Sequence, residues 1–230
     1  DSLADEPYRL GTGGYDHRVR FTFATRWRNN KVKGLNYGLN GNVMKSRSTS
    51  IFLWDNLHEG LYRPMPNTTT NTVGTQYYFD PFVHYTGPHG TRHSLNGRFY
   101  GQHFRNSGNQ SNANELFYAE YQLQKRLELF GPTTMTAGLV GQQVASHAEL
   151  YSGNPAANGE NAATNTAAYL QVDKKLLARL MVSAGVRYER FKVNELEQAE
   201  PVVRAGATYQ VWEGTFLRAS YGQGFRFPTI

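Results

Sequence analysis

The stretch Arg18-Val19-Arg20-Phe21-Thr22-Phe23-Ala24-Thr25-Arg26-Trp27-Arg28 decides the fold class. Its odd positions are Val19, Phe21, Phe23, Thr25 and Trp27; its even positions are Arg18, Arg20, Thr22, Ala24, Arg26 and Arg28. In an extended chain successive side chains point to opposite faces, so one face is apolar and the other carries four Arg. A helix would mix the same residues around its axis and spoil both faces.

The same period of two recurs along the chain. Phe117, Ala119, Tyr121 and Leu123 alternate with Tyr118, Glu120, Gln122 and Gln124. Leu180, Val182, Ala184, Val186 and Tyr188 alternate with Met181, Ser183, Gly185, Arg187 and Glu189. Val203 to Val211 and Thr215 to Tyr221 repeat the pattern. No segment offers a longer helical period instead. The pattern predicts ten strands near 18–28, 34–55, 74–86, 91–105, 114–127, 133–149, 165–174, 179–193, 201–211 and 215–225. In the second, the apolar face is odd at Leu35, Tyr37, Leu39 and Val43 but even at Phe52 and Trp54. A bulge near Lys45–Ser48 would switch the faces. A tight turn there would instead give eleven strands.

Connection lengths alternate. Asn29–Lys33, Gly87–Gly90, Phe130–Pro132, Lys175–Ala178 and Trp212–Gly214 are short. Asn56–Val73, Asn106–Ala113, Leu150–Thr164 and Asn194–Glu200 are long and polar. In an antiparallel meander this puts tight turns at one end and loops at the other, the asymmetry of an outer-membrane barrel. Most predicted strands exceed the usual five or six residues. They approach the ~9–11 that cross a bilayer with tilt. A soluble antiparallel sandwich or barrel also alternates, because alternation does not say whether the apolar face meets lipid or a core.

Composition narrows the classes. The 230 residues are 39% hydrophobic and 13% aromatic, too aromatic for a disordered chain. There is no Cys, which excludes a disulfide scaffold and a Cys-based zinc site. Mean hydropathy of -0.59 suits a soluble domain, but a membrane barrel also averages to a hydrophilic value. Net charge is +6, yet Lys and Arg never run five together, which argues against nucleic acid as partner. The start, Asp1-Ser2-Leu3-Ala4-Asp5-Glu6, has neither region of a signal peptide, so any leader is expected outside this segment.

Ser220-Tyr221-Gly222-Gln223-Gly224-Phe225-Arg226-Phe227-Pro228-Thr229 resembles the barrel motif of TonB-dependent outer-membrane receptors. Gly222, Gly224, Phe225, Arg226 and Pro228 carry that likeness. Gly34–Asn42, Phe52–Asn56 and Ala168–Lys175 are similar to the Bacteroidota branch of the family. The resemblance implies a barrel of about 22 strands with a plug inside it. It implies capture of a scarce ligand outside and energy from the TonB complex through an N-terminal part. The chain is then expected to be all-β: residues 1–230 as a partial antiparallel transmembrane β-barrel, without the plug domain and the C-terminal strands. It implies a bacterial outer-membrane setting with lipid and lipopolysaccharide around the wall, and raises a surface lipoprotein as a further partner. The ligand is expected to be a ferric chelate, haem, cobalamin, or an oligosaccharide or peptide. The competing readings are a plug-free outer-membrane channel or structural barrel, and a soluble β-rich carbohydrate-binding module.

Catalytic signatures are missing: there is no Gly-x-Ser-x-Gly, His-Glu-x-x-His or P-loop. The chain therefore reads as a transporter segment rather than an enzyme, with no cofactor and no metal. His84, His89 and His93 gather near one turn, but solvated histidines explain them better than a metal. If the apolar face meets lipid, Arg18, Arg20, Arg26, Arg28, Arg98, Arg187, Arg204 and Arg218 face the lumen. There they would bond a plug and trapped water, or form an anion-attracting wall. Trp54, Tyr62 and Tyr151 are candidate ligand-stacking loop aromatics, with the outer aromatic girdle as the alternative for Trp54 and Tyr151. Val182 and Ala205 are expected on the lipid face, Ser183 and Thr208 on the lumen face.

Overall fold

The computed structural model describes residues 15–53, 64–65, 67–128, 131–152 and 159–224. They form one sheet of ten strands in sequence order: β1 (Asp16–Arg28), β2 (Leu35–Ile51), β3 (Thr69–Thr86), β4 (Arg92–Asn106), β5 (Asn112–Glu128), β6 (Pro132–Ala148), β7 (Glu160–Leu177), β8 (Leu180–Val193), β9 (Leu196–Trp212) and β10 (Thr215–Gly222). Every neighbouring pair is antiparallel. Among the described residues β1 pairs only with β2 and β10 only with β9, so the sheet is open.

The register carries one apolar face across the sheet. Phe23 opposes Gly41, Gly41 opposes Phe79, Phe79 opposes Phe99, and Phe99 opposes Phe117. Ring centroids lie 4.6 Å apart for Phe99 and Phe117 and 5.4 Å for Tyr77 and Phe99. Such offset aromatic pairs stabilise a sheet face beyond area burial. Face parity is not constant along the chain. Gln142 opposes Asn165 and Ser183 opposes Gly206, so the polar face is even on β1–β6, odd on β7 and β8, and even again on β9 and β10.

Burial is the reverse of a soluble protein's. The apolar face is open: Val19 is 75% exposed, Phe21 65%, Leu139 61% and Leu217 66%. The buried apolar residues Met44, Ala167 and Val202 all lie on the polar face, with Asn42 and Thr136. A sheet that curves toward its polar face crowds those side chains and splays the others. No second layer covers the apolar side among the described residues. That removes the packed core a soluble sandwich requires.

Two sequence expectations need correction. The bulge near Lys45–Ser48 is absent, and so is the turn that would give eleven strands. β2 holds one register against β1 from Asn36 to Ser48 and against β3 from Leu35 to Ile51. Phe52 lies past the strand end, so its parity carries no information about the faces of β2, and Trp54 lies outside the described residues. The loop asymmetry is weaker than expected. Residues 52–68 and 149–159 do form long connections at one end. At that same end, however, β4 and β5 are joined by 107–111, and β8 and β9 by Asn194-Glu195 alone. Asn194 takes φ of 52°, a left-handed turn conformation that Asn tolerates better than most residues. Polar composition marked 194–200 as a loop, yet most of it is strand, with Gln198 and Glu200 on the polar face. His84 and His93, read from the sequence as solvated histidines, lie on opposite faces, because Tyr85 is the residue that opposes His93. His84 bonds Asn96 and His93 bonds the Tyr121 hydroxyl, which leaves no shared metal site.

Candidate functional site: the polar wall

All eight arginines singled out from the sequence share the polar face. Arg18, Arg20, Arg26 and Arg28 are on β1, Arg98 on β4, Arg187 on β8, Arg204 on β9 and Arg218 on β10. The alternation that places an aromatic at one position places an Arg at the next, so both faces come from one pattern.

Their partners differ. Arg98 donates twice to the Asp80 carboxylate, at 2.7 and 2.6 Å, and stacks over the Tyr78 ring at 5.3 Å. A planar guanidinium held on both oxygens and over a ring is fixed in direction, unlike a free surface Arg. Arg187 pairs with Glu189 and lies over the Tyr169 ring at 5.8 Å. Arg18 pairs with Asp16 in the open, where such pairs add little. Arg20 reaches the Met44 sulfur. Arg26, Arg28, Arg204 and Arg218 have no carboxylate partner among the described residues.

A cluster that composition alone did not single out lies at the centre of the wall. The Tyr169 hydroxyl donates to Glu120 at 2.8 Å and accepts from the Gln122 amide at 3.1 Å. The Tyr118 hydroxyl donates to the other Glu120 oxygen at 2.8 Å. Strands β5 and β7 are not neighbours; β6 lies between them. Tyr169 spans it because Gly138 is there: a Cβ on Gly138 would stand 2.3 Å from the Tyr169 ring. The signal available in the sequence was Gly138 and Tyr169 on adjacent strands, but their pairing depends on the register between β6 and β7.

Two cavities open on this face. One of about 610 Å³ is lined by Arg26, Asp80, Phe82, His84, Arg98 and Tyr118 among others. The second, about 530 Å³, is lined by Glu120, Tyr169, Arg187, Arg204 and Ser220 among others. Tyr118 lines the first, and Glu120, to which it donates, lines the second. The wall can therefore hold polar or anionic groups and water. It holds no pair of groups arranged as nucleophile and base, and no cluster of three metal-ligating side chains occurs among the described residues.

Of the remaining candidates, Tyr151 ends a short 3₁₀ turn, Glu149–Tyr151, at the long-connection end, and is exposed. Gly222 is the last residue of β10 and Gly224 follows it. Trp54, Tyr62, Phe225, Arg226 and Pro228 lie outside the described residues.

A single sheet of long antiparallel strands, apolar outside and polar inside, defines a wall segment of an outer-membrane β-barrel. Residues 2–230 match the family described as TonB dependent receptor-like, beta-barrel, and the chain belongs to that family. The alcaligin outer membrane receptor FauA from Bordetella pertussis superimposes with a TM-score of 0.63 at 12% identity, over 90% of this chain and 35% of that one. A chain of the FpvAI–pyocin S2 complex superimposes with a TM-score of 0.57 at 10% identity, over 91% and 36%. At that identity the likeness is one of fold, and the chain spans about a third of those chains' length. No curated protein sequence matches it. The family match concerns the family at large, without a branch within it, and the family is one of outer-membrane receptors, not an enzyme class.

Proposed function

We propose that this chain is a contiguous part of the wall of a larger, plugged barrel of about 22 strands, which captures a scarce ligand outside the cell and imports it with energy from the TonB complex. The ligand class is a ferric chelate, haem, cobalamin, or an oligosaccharide or peptide. The eight arginines face the plug, and those without carboxylate partners are its docking points. The observation that carries this reading is the one-sided placement of all eight, five of them (Arg20 included) without a carboxylate partner among the described residues, on the polar face of the sheet. Cations on a barrel interior need water or a partner, and a plug supplies both. Tyr151, exposed at the long-connection end, belongs to the outer aromatic rim, with Trp54 and Tyr62 as the loop aromatics nearest a ligand.

The test is accumulation of radiolabelled ferric chelates, haem, cobalamin and oligosaccharides by cells carrying the full-length receptor, with and without a functional TonB system. Uptake of one class that vanishes without TonB supports the reading. Uptake indifferent to TonB would establish the plug-free channel instead.

A further inference from the structure

The lumen face divides by height. Among the described strand residues of β2 to β7, those facing the lumen beyond Asp80, Arg98 and Glu120, toward the long-connection end, carry no charge. Below that line the same face holds Asp80, Arg92, Arg98, Glu120, Arg126 and Asp173. The rim as a whole is not poor in charge. At the uncharged height Lys45, Arg47, Arg105 and Glu115 stand on the lipid side of the same strands. Charge also returns to the lumen face at both flanks, with Arg20 on β1 and Glu189 on β8. A water-filled lumen tolerates charge, so its exclusion from one patch reflects what that patch touches.

Two rows of side chains build the patch. In the first, Gln76, Gln102, Asn114 and Ser146 oppose one another in turn across β3 to β6. The Gln102 side-chain oxygen accepts from the Gln76 amide at 3.3 Å and from the Tyr100 hydroxyl at 2.6 Å. The Asn114 side-chain oxygen accepts from the Ser146 hydroxyl at 2.6 Å. With those oxygens engaged, the NH2 groups of Gln102 and Asn114 remain without a partner among the described residues, and both side chains are half-buried. In the second row Ser46, Gly74, Phe104 and Asn112 oppose one another in turn. The Phe104 ring leans from β4 over Gly74: a Cβ there would stand 2.6 Å from the ring and 2.6 Å from the Ser46 hydroxyl oxygen. The glycine thus lets the ring lie along the wall, with a hydroxyl and amides beside it.

An anionic chelate, or the carboxylates of haem, would leave water at this patch without meeting a cation. A sugar asks for what the patch supplies. Each sugar hydroxyl both donates and accepts, which matches amide donors set beside hydroxyl oxygens. The C–H face of a sugar ring packs on the face of an aromatic one. The row from Gln76 to Ser146 crosses three strand spacings, roughly 14 Å, which is longer than a single sugar ring. We propose that this patch, with Phe104 as the stacking platform and Gln102 and Asn114 as hydrogen-bond donors, is a binding site for an uncharged oligosaccharide. The assignment rests on the reading above that the long-connection end faces outward and that the parent barrel imports a ligand; it selects one of the ligand classes given there.

The test uses the full-length receptor, fluorescently labelled in detergent, on an array of neutral and acidic oligosaccharides, with a ferric hydroxamate chelate, haem and cobalamin titrated separately. At least one neutral oligosaccharide series should bind, and its counterparts bearing uronic acid or sulfate should not. Phe104→Ala should weaken that binding at least about tenfold. Gln102→Glu should weaken it as much, because a carboxylate replaces the NH2 donor. Gln124→Glu, on the same face below the charged line, should leave it unchanged. Heat-sensitive gel mobility reports that each variant is a folded barrel. If Phe104→Ala does not fold, Phe104→Leu keeps the apolar volume and removes the ring face. Absence of any bound neutral oligosaccharide, or a preference for acidic ones, overturns the site. Neutral binding indifferent to both Phe104→Ala and Gln102→Glu overturns it as well. Binding of the ferric chelate with no oligosaccharide bound overturns this assignment and leaves TonB-dependent import standing. Oligosaccharide binding without TonB-dependent uptake would break the transport reading and leave this one standing.

Discussion

Strand β6 shows the two faces of the wall three residues apart. Leu139 points outward between Tyr121 and Ala168, and is 61% exposed with nothing of the protein above it. Gln142 points inward between Tyr118 and Asn165, against the cavity that Arg98 lines. In a soluble protein the leucine would be covered and the glutamine open. The inversion means that the solvent of the outer face is lipid, and that the organising interactions of the protein itself lie inside. Outer residues are therefore held to a class, apolar and nonspecific; inner residues are held to partners.

The largest effect that tests this difference is Leu139→Arg. In lipid vesicles it should destabilise the folded barrel by about 2–4 kcal/mol, whereas Gln142→Arg should cost much less. Urea titrations of the full-length receptor refolded into vesicles measure both. Equal penalties would mean that the faces are misassigned. Leu139 is a sharper probe than Val182, which is only two residues from the start of β8 and so close to the rim. Penalties for Arg fall steeply away from the midplane.

The inner face is broken by shape. Gly138→Val places branched carbons where the Tyr169 ring now lies, 2.3 Å from a Cβ. The ring must leave, and with it the bonds to Glu120 and Gln122. Overpacking of this kind should cost about 1–3 kcal/mol. Tyr169→Phe keeps the ring and removes only the hydroxyl, so its cost should be smaller, about 1 kcal/mol. If Gly138→Val costs no more than Tyr169→Phe, the ring has another place to go and the glycine is not what admits it. Stability of the two variants, measured under the same conditions, decides.

That pair also shows where the sequence stops informing. The outer face was legible because it depends on residue class alone: Val19, Phe21, Phe23 and Trp27 announce it without any partner. The common side of eight arginines followed from the same alternation. The Tyr118–Glu120–Tyr169 cluster depends on which residue of β6 opposes which residue of β7. Both strands keep their apolar face under a shift of two, so alternation cannot choose among registers. Which faces the histidines take was not legible for a related reason. His84 and His93 are close in sequence around a turn, but one residue of parity sends them to opposite faces. Residues 196–200 failed because a rim strand facing water on one side and a polar lumen on the other has no apolar face to display.

The smallest expected effect concerns the rim itself. Glu149, in the turn after β6, accepts from the Ser111 backbone N–H at 2.9 Å while its own N–H donates to the Ser111 carbonyl at 2.9 Å. The loop after β4 is thereby tied to the turn after β6. That backbone hydrogen bond, with the Ser111 side chain adding to it, holds the Glu149 carboxyl below its ordinary value. A group whose pKa is lowered in the folded state contributes a tie that is full above the unfolded value. It is lost as pH falls through the folded one. Exchange of the Ser111 amide should therefore be protected at pH 7 and lose protection, beyond the intrinsic pH dependence, below the ordinary carboxylate range. Glu149→Gln should flatten that extra dependence, because an amide does not titrate. Amides in β5 at the height of Glu120 should show no matching change, since they belong to the sheet and not to the rim. An equal loss of protection at both places would mean that acid opens the wall as one unit, and would erase the distinction between an independently held rim and the sheet beneath it.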